Sequence, residues 1–130
     1  MNLNDLKRAL EKSWDEETCY PELRDDWSPE KPSLGQCAVT ALVVQDYFGG
    51  ELLYCKHHHH YWNRISTGEE VDFTRDQFPE GTEICLDYIR SRNHLLNGKY
   101  SKKARTAERY ELLKKRVELF FNEQNNEQEE

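Results

Sequence analysis

The run Ala38-Val39-Thr40-Ala41-Leu42-Val43-Val44, continued by Tyr47-Phe48 and closed by Gly49-Gly50, is the strongest constraint on what this chain can fold into. Its length predicts a helix that is apolar nearly all round, and such a helix has to be covered on every side. The double glycine supplies its stop. Charged residues are 33% of the 130 residues, so the apolar material for that cover must be concentrated in a few segments of one domain. Just ahead of the run stands Cys37, preceded by Pro32-Ser33-Leu34-Gly35-Gln36. Ser33 and Gln36 have capping-box spacing, which predicts a helix from about Leu34 to Phe48 with the cysteine near its start.

The cover can be found in the pattern. Leu3, Leu6, Leu10 and Trp14 recur at helical spacing, with Asn2 or Asn4 as a cap. From Thr106 onward Tyr110, Leu113, Val117, Phe120 and Phe121 form a second stripe for a helix docked on the core. Segments 51–56, 59–65 and 70–74 predict strands, the second and third enriched in Tyr, Trp, Ile, Val and Phe, with Ser66-Thr67-Gly68 as a hairpin loop. Glu83 to Arg90 fits a strand or a helix. The acidic, proline-interrupted stretch Asp15 to Lys31 predicts a long surface loop pinned by Tyr20 and Trp27. Ser91 to His94 predicts a loop, and Lys99 to Arg105 a solvated loop and helix start. The expected fold is α+β, a buried central helix starting at the cysteine on an antiparallel sheet with helices at both ends. One domain spans 1–121, and a disordered polar tail spans 122–130.

Net charge of −7 counts against nucleic acid as a partner, since that affinity comes from phosphate neutralisation by Lys and Arg. No apolar run approaches the ~20 residues that cross a bilayer, and the amino terminus lacks the apolar core of a signal peptide. A cytoplasmic protein with no membrane partner is expected, as a monomer or weak homodimer. The four cysteines, Cys19, Cys37, Cys55 and Cys85, form no Cys-x-x-Cys pair, which speaks against a zinc ribbon and against a redox dithiol. Free thiols are the expectation in a reducing compartment.

A thiol at a helix start is chemically suggestive. The thiolate is the attacking species, and the amino end of a helix carries about half a positive charge that favours it. A small buried residue at the same place is the plain alternative. A base has to come from His57 to His60, because His94 is isolated. Strand alternation puts His57 and His59 on one face, His58 and His60 on the other. A three-residue loop with Gly68 left-handed pairs Ile65 with Glu69 and Trp62 with Asp72. His60 is then diagonal to Asp72 on a shared face; a four-residue loop would bring His59 there instead. The glycine favours the shorter loop and therefore His60. Asp72 would orient the imidazole. Gln36, Asn63 and Gln77 are candidates for oxyanion or supporting roles, and Trp14, Trp27 and Trp62 for a substrate cleft; each also has a plain packing or hydrogen-bonding explanation. Neighbouring histidines on a strand point to opposite faces, so even with Cys55 beside His57 a zinc ion would lack its usual ligands. No metal and no cofactor is expected.

Several stretches together resemble the YunG-like family of small bacterial proteins: Leu10-x-x-Ser13-Trp14-x-x-x-Thr18, Gly35-Gln36-Cys37-Ala38-Val39-Thr40, Gly49-Gly50, His60-Tyr61-Trp62-Asn63 and Val71-Asp72-Phe73-Thr74-Arg75-Asp76-Gln77-Phe78. The resemblance extends to about Leu96 and carries no established activity with it. More distantly, the order Cys, His, Asp resembles the papain-like superfamily, including transglutaminases and arylamine N-acetyltransferases. That resemblance implies a papain-like fold, with Cys37 as nucleophile, His60 as general base and Asp72 as orienting acid. Gln36 is adjacent to the cysteine, whereas papain-type proteases place their oxyanion glutamine several residues earlier. The chain also has no second lobe for a long peptide cleft. The implied substrate is therefore a small molecule or short peptide-like amide, ester or thioester. The other functions compatible with these residues are a catalytically silent papain-fold binding protein and a metal-binding protein built on the histidine cluster.

Overall fold

The structure, a computed structural model, describes residues 1–129, with side chains to residue 126. Helix α1 (Leu3–Ser13) opens on a closed capping box: Asn2 Oδ1 accepts from the Asp5 amide at 2.9 Å, and the Asp5 carboxylate accepts from the Asn2 amide at 3.0 Å. It buries Leu6, Ala9 and Leu10 and stops at Trp14. Helix α2 (Cys37–Phe48) starts later than its Ser33-to-Gln36 spacing implies. Both capping side chains are drawn elsewhere, Ser33 Oγ donating to Asp76 Oδ1 at 2.6 Å and Gln36 Nε2 to the Asp15 carbonyl at 3.0 Å. The helix therefore opens at Cys37 with no side-chain cap.

Val39, Ala41, Leu42, Val43 and Val44 are each at most 1% exposed, as an all-round apolar helix requires. Burial of each large one is worth about 1.5–3 kcal/mol. On one side α2 faces a four-stranded antiparallel sheet made of β1 (Glu51–Cys55), β2 (His60–Arg64), β3 (Glu70–Val71) and β4 (Tyr88–Arg90), in the order β3-β2-β1-β4. On another it meets α5 (Thr106–Glu129), which also packs on α1. Gly50 makes the α2–β1 turn at φ +84°, and a side chain there would put Cβ 2.0 Å from the Arg64 carbonyl oxygen. Leu53, Cys55 and Trp62 form a smaller cluster on the opposite face of the sheet, with Ile84 against it.

The architecture is α+β with a small antiparallel sheet and flanking helices, as expected. Several boundaries differ. The third strand is only two residues long, and the chain then turns through a 3-10 segment, Arg75–Gln77. The Asp15–Lys31 loop contains another, Pro21–Asp26, and is fastened by Trp27 Nε1 donating to the Pro32 carbonyl at 3.0 Å. His94 lies in a short helix, α3 (Arg92–Asn97), capped by Ser91, followed by α4 (Lys99–Lys103). In place of a disordered tail, α5 continues through residues 122–129; extending a helix that is already nucleated needs no new nucleus, even for a polar sequence. Glu130 lies outside the described residues. No described helix is long and apolar enough to cross a membrane.

Candidate active site

The β2–β3 hairpin sets the geometry. The Ile65 amide donates to the Glu69 carbonyl and the Gly68 amide to the Ile65 carbonyl, both at 2.9 Å, with Gly68 at φ +91°. Ser66, Thr67 and Gly68 are thus the loop, and Asn63 pairs with Val71, Arg64 with Glu70. Continuing that register sets Trp62 across from Asp72, with His60 diagonal to it. His60 Nε2 donates to Asp72 Oδ2 at 2.7 Å. The second oxygen of Asp72 accepts from the Thr74 amide at 3.2 Å, which fixes the carboxylate plane.

His60 has no exposed surface. Its ring lies parallel to Trp62, with centroids 5.8 Å apart, and edge-on to Phe78 at 5.0 Å, so it cannot swing. Burial alone would lower its proton affinity, but the hydrogen bond to Asp72 and the Cys37 thiol outweigh it and raise the pKa from 6.5 to about 9. One imidazole nitrogen is held by a carboxylate while the other, Nδ1, is buried without a hydrogen-bond partner among the described residues.

Cys37 is the first residue of α2 and is partly exposed. The first amide bonded in helical fashion is that of Thr40, to the Gln36 carbonyl, so the amides before it have no helical acceptor. Cys37 Sγ lies 3.9 Å from the His59 carbonyl oxygen. His59 adopts the left-handed φ of +50° and hydrogen-bonds the Tyr54 hydroxyl through Nδ1 at 2.9 Å. Residues 56–59 form a turn, so the alternation expected across His57–His60 does not exist; only His60 belongs to the strand. Among the described residues no three His, Cys, Asp or Glu side chains converge as a metal site needs.

The remaining candidates turn out to fasten the site. Gln36 is fully buried, its Nε2 on the Asp15 carbonyl and its Oε1 without a partner, so its amide nitrogen is committed to the loop and not to an oxyanion. Gln77 Oε1 accepts from the Gly35 amide at 3.3 Å and steadies the approach to Cys37. Asn63 Nδ2 donates to the Ala41 carbonyl at 2.9 Å and ties α2 to β2. Trp14 is in the core, donating to Thr40 Oγ1 at 2.9 Å, and Trp62 backs His60 while donating to Glu70 Oε1 at 2.8 Å. Neither is a cleft wall, and Trp27 pins its own loop. A groove of about 600 Å³ lined by Asp72, Phe73, Arg75 and Phe78 is not lined by Cys37.

Two features escape the sequence pattern. Arg109 on α5 is buried, donating through Nη1 to the Thr18 carbonyl at 2.9 Å and through Nε to that of Ala104 at 2.8 Å. Burial lowers its pKa. A row of tyrosines also crosses the sheet, Tyr61 on β2, Tyr54 on β1 and Tyr88 on β4. The alternation in Tyr88-Ile89-Arg90 is its only trace in the sequence, and it cannot be read without the β1–β4 register.

Comparison with known proteins places the chain in context. A family model described as YunG protein matches residues 2–122. The uncharacterized protein YunG of Bacillus subtilis (strain 168) is 40% identical over 75 residues, which is 56% of this chain and 60% of that protein. The match thus spans less than two thirds of that relative's length. No solved structure matches, so the papain-like likeness has no structural neighbour behind it.

Proposed function

The chain belongs to the YunG family, and we propose that it is a thiol-dependent hydrolase or acyltransferase acting on a small or short peptide-like amide, ester or thioester. The observation that carries this reading is the imidazole of His60, anchored at 2.7 Å by Asp72 through Nε2 and buried with Nδ1 unpartnered, one residue from the His59 carbonyl that Cys37 Sγ approaches. In this mechanism the thiol proton has already passed to His60 before substrate arrives, and the Cys37 thiolate attacks the acyl carbon beside the imidazolium. Asp72 holds the ring and stabilises its cation. The oxyanion of the tetrahedral intermediate accepts from free backbone amides of the first turn of α2, aided by the helix dipole. As the carbon–heteroatom bond breaks, the imidazolium returns its proton to the leaving amine, alcohol or thiol. The thioester on Cys37 is then released by water or by a second nucleophile, deprotonated by the same imidazole, and the thiol is regenerated.

The test uses an activated acyl donor, p-nitrophenyl acetate, with peptide mass spectrometry. One acetyl group should appear on Cys37, decay on further incubation, and be missing in Cys37→Ser and strongly reduced in His60→Ala. Acetylation spread over lysines and the other thiols, unchanged in His60→Ala, would contradict the reading.

A further inference from the structure

We propose that Arg90 is the anchor for an acidic end group of the substrate, so that this site takes acyl compounds carrying a carboxylate. The inference rests on the Cys37 reading above and adds the substrate class to it. Leu52 on β1 pairs with both Asn63 and Arg90, and Tyr54 with both Tyr61 and Tyr88. Paired residues in an antiparallel sheet share a face, so Arg90 and the three tyrosines stand on the face that carries Leu52 and meets α2. The Arg90 guanidinium lies 4.9 Å from the ring centre of Tyr54 and 4.6 Å from that of Tyr88, held between two aromatic faces.

Those rings fix the plane of the guanidinium but satisfy none of its N–H donors. Among the described residues Arg90 makes no hydrogen bond or ion pair, and its Nε is buried without an acceptor. Arg64, Arg92 and Arg116 each have a carboxylate partner. The carboxylate just before β4, Asp87, is occupied by the Lys56 amide at 2.7 Å. A planar donor fork that is oriented in advance and unpaired is what a carboxylate binds through two parallel hydrogen bonds. Tyr54 carries the Arg90 guanidinium over its ring and pairs with Tyr61 across the sheet. Tyr54 also binds His59, whose carbonyl faces Cys37 Sγ. A substrate lying along Tyr54 and Tyr61 therefore has its acyl carbon toward the thiol and its acidic end toward Arg90. With a net charge of −7 the protein as a whole repels anions, so any preference for one has to arise locally.

Alkylation of Cys37 by N-bromoacetylglycine and by its neutral amide separates this assignment from the nucleophile reading, because the two reagents differ only in the distal charge. The acid should react about tenfold faster than the amide at low salt, and added salt should narrow the gap. Arg90→Gln should bring the acid-to-amide ratio to about one, and Arg90→Lys should keep part of it. Equal rates in the unaltered protein, or a preference that survives Arg90→Gln, overturns the anchor; the salt response decides it if Arg90→Gln does not fold. His60→Ala should slow both reagents alike. If it slows neither while the acid preference still depends on Arg90, the nucleophile reading fails and the anchor stands. If neither reagent singles out Cys37, both fall together.

Discussion

His60 has no exposed surface, yet its environment holds a proton on it more tightly than water would. Burial works against the cation; the hydrogen bond to Asp72 and the nearby Cys37 thiol work for it and prevail. The folded-state pKa of about 9 stands above the unfolded value of 6.5, so the linked stability is complete below about pH 6.5 and is lost as pH rises through about 9. Thermal melts between about pH 6 and about pH 10 should therefore show a fall in Tm that Asp72→Asn flattens. An equal slope in the two proteins would mean that the pair holds no proton. Trp62 and Phe78 on two sides of the ring make the imidazole rigid as well as charged. The pairing of His60 with Asp72 is legible in the sequence, because one glycine loop decides the register. Gln36 is not: its bond to the Asp15 carbonyl joins residues 21 apart, and nothing local in the sequence announces it.

The elements that position these residues differ in how much local chemistry specifies them. Helix α1 is written in its own sequence, cap and stripe alike, and forms as written. The β2–β3 hairpin follows from Gly68 and the alternation around it. Helix α2 has an unmistakable apolar body but a start that distant partners set, since Ser33 goes to Asp76 and leaves the helix uncapped at Cys37. Strand β4 exists because β1 offers it an edge, and its exposed Tyr88 and Ile89 carry little pattern of their own. The turn from α2 into β1 is a sharper test of this geometry. Gly50→Ala places Cβ against the Arg64 carbonyl at φ +84° and should destabilise the protein by more than about 1 kcal/mol in urea denaturation. A change near zero would mean that the turn relaxes freely.

Across the whole molecule, α5 closes the fold over the Asp15–Lys31 loop. Arg109 holds the Thr18 carbonyl, and Arg116 pairs with Asp15 at 2.9 Å and with Glu17 at 3.0 Å. Arg109 has no carboxylate partner of its own among the described residues, and its guanidinium is satisfied by the Thr18 and Ala104 carbonyl oxygens. Arg109→Met should release the loop, and limited trypsin digestion should then cut faster after Arg24; unchanged cleavage would show that the loop is held by other contacts. Such fastening matters because Gly35 and Gln36, at the far end of that loop, lead directly into Cys37. Burial pushes Cys19, packed against Gly35, up to about 11, while Cys55 is buried and Cys85 exposed. Exposure and reactivity therefore make opposite forecasts for the four thiols. Competitive labelling by limiting iodoacetamide near pH 6, read site by site by mass spectrometry, tests the central claim most directly. Cys37 should be labelled at least about tenfold faster than Cys85, and His60→Ala should abolish that lead. A Cys37 that reacts no faster than the exposed Cys85 would contradict it.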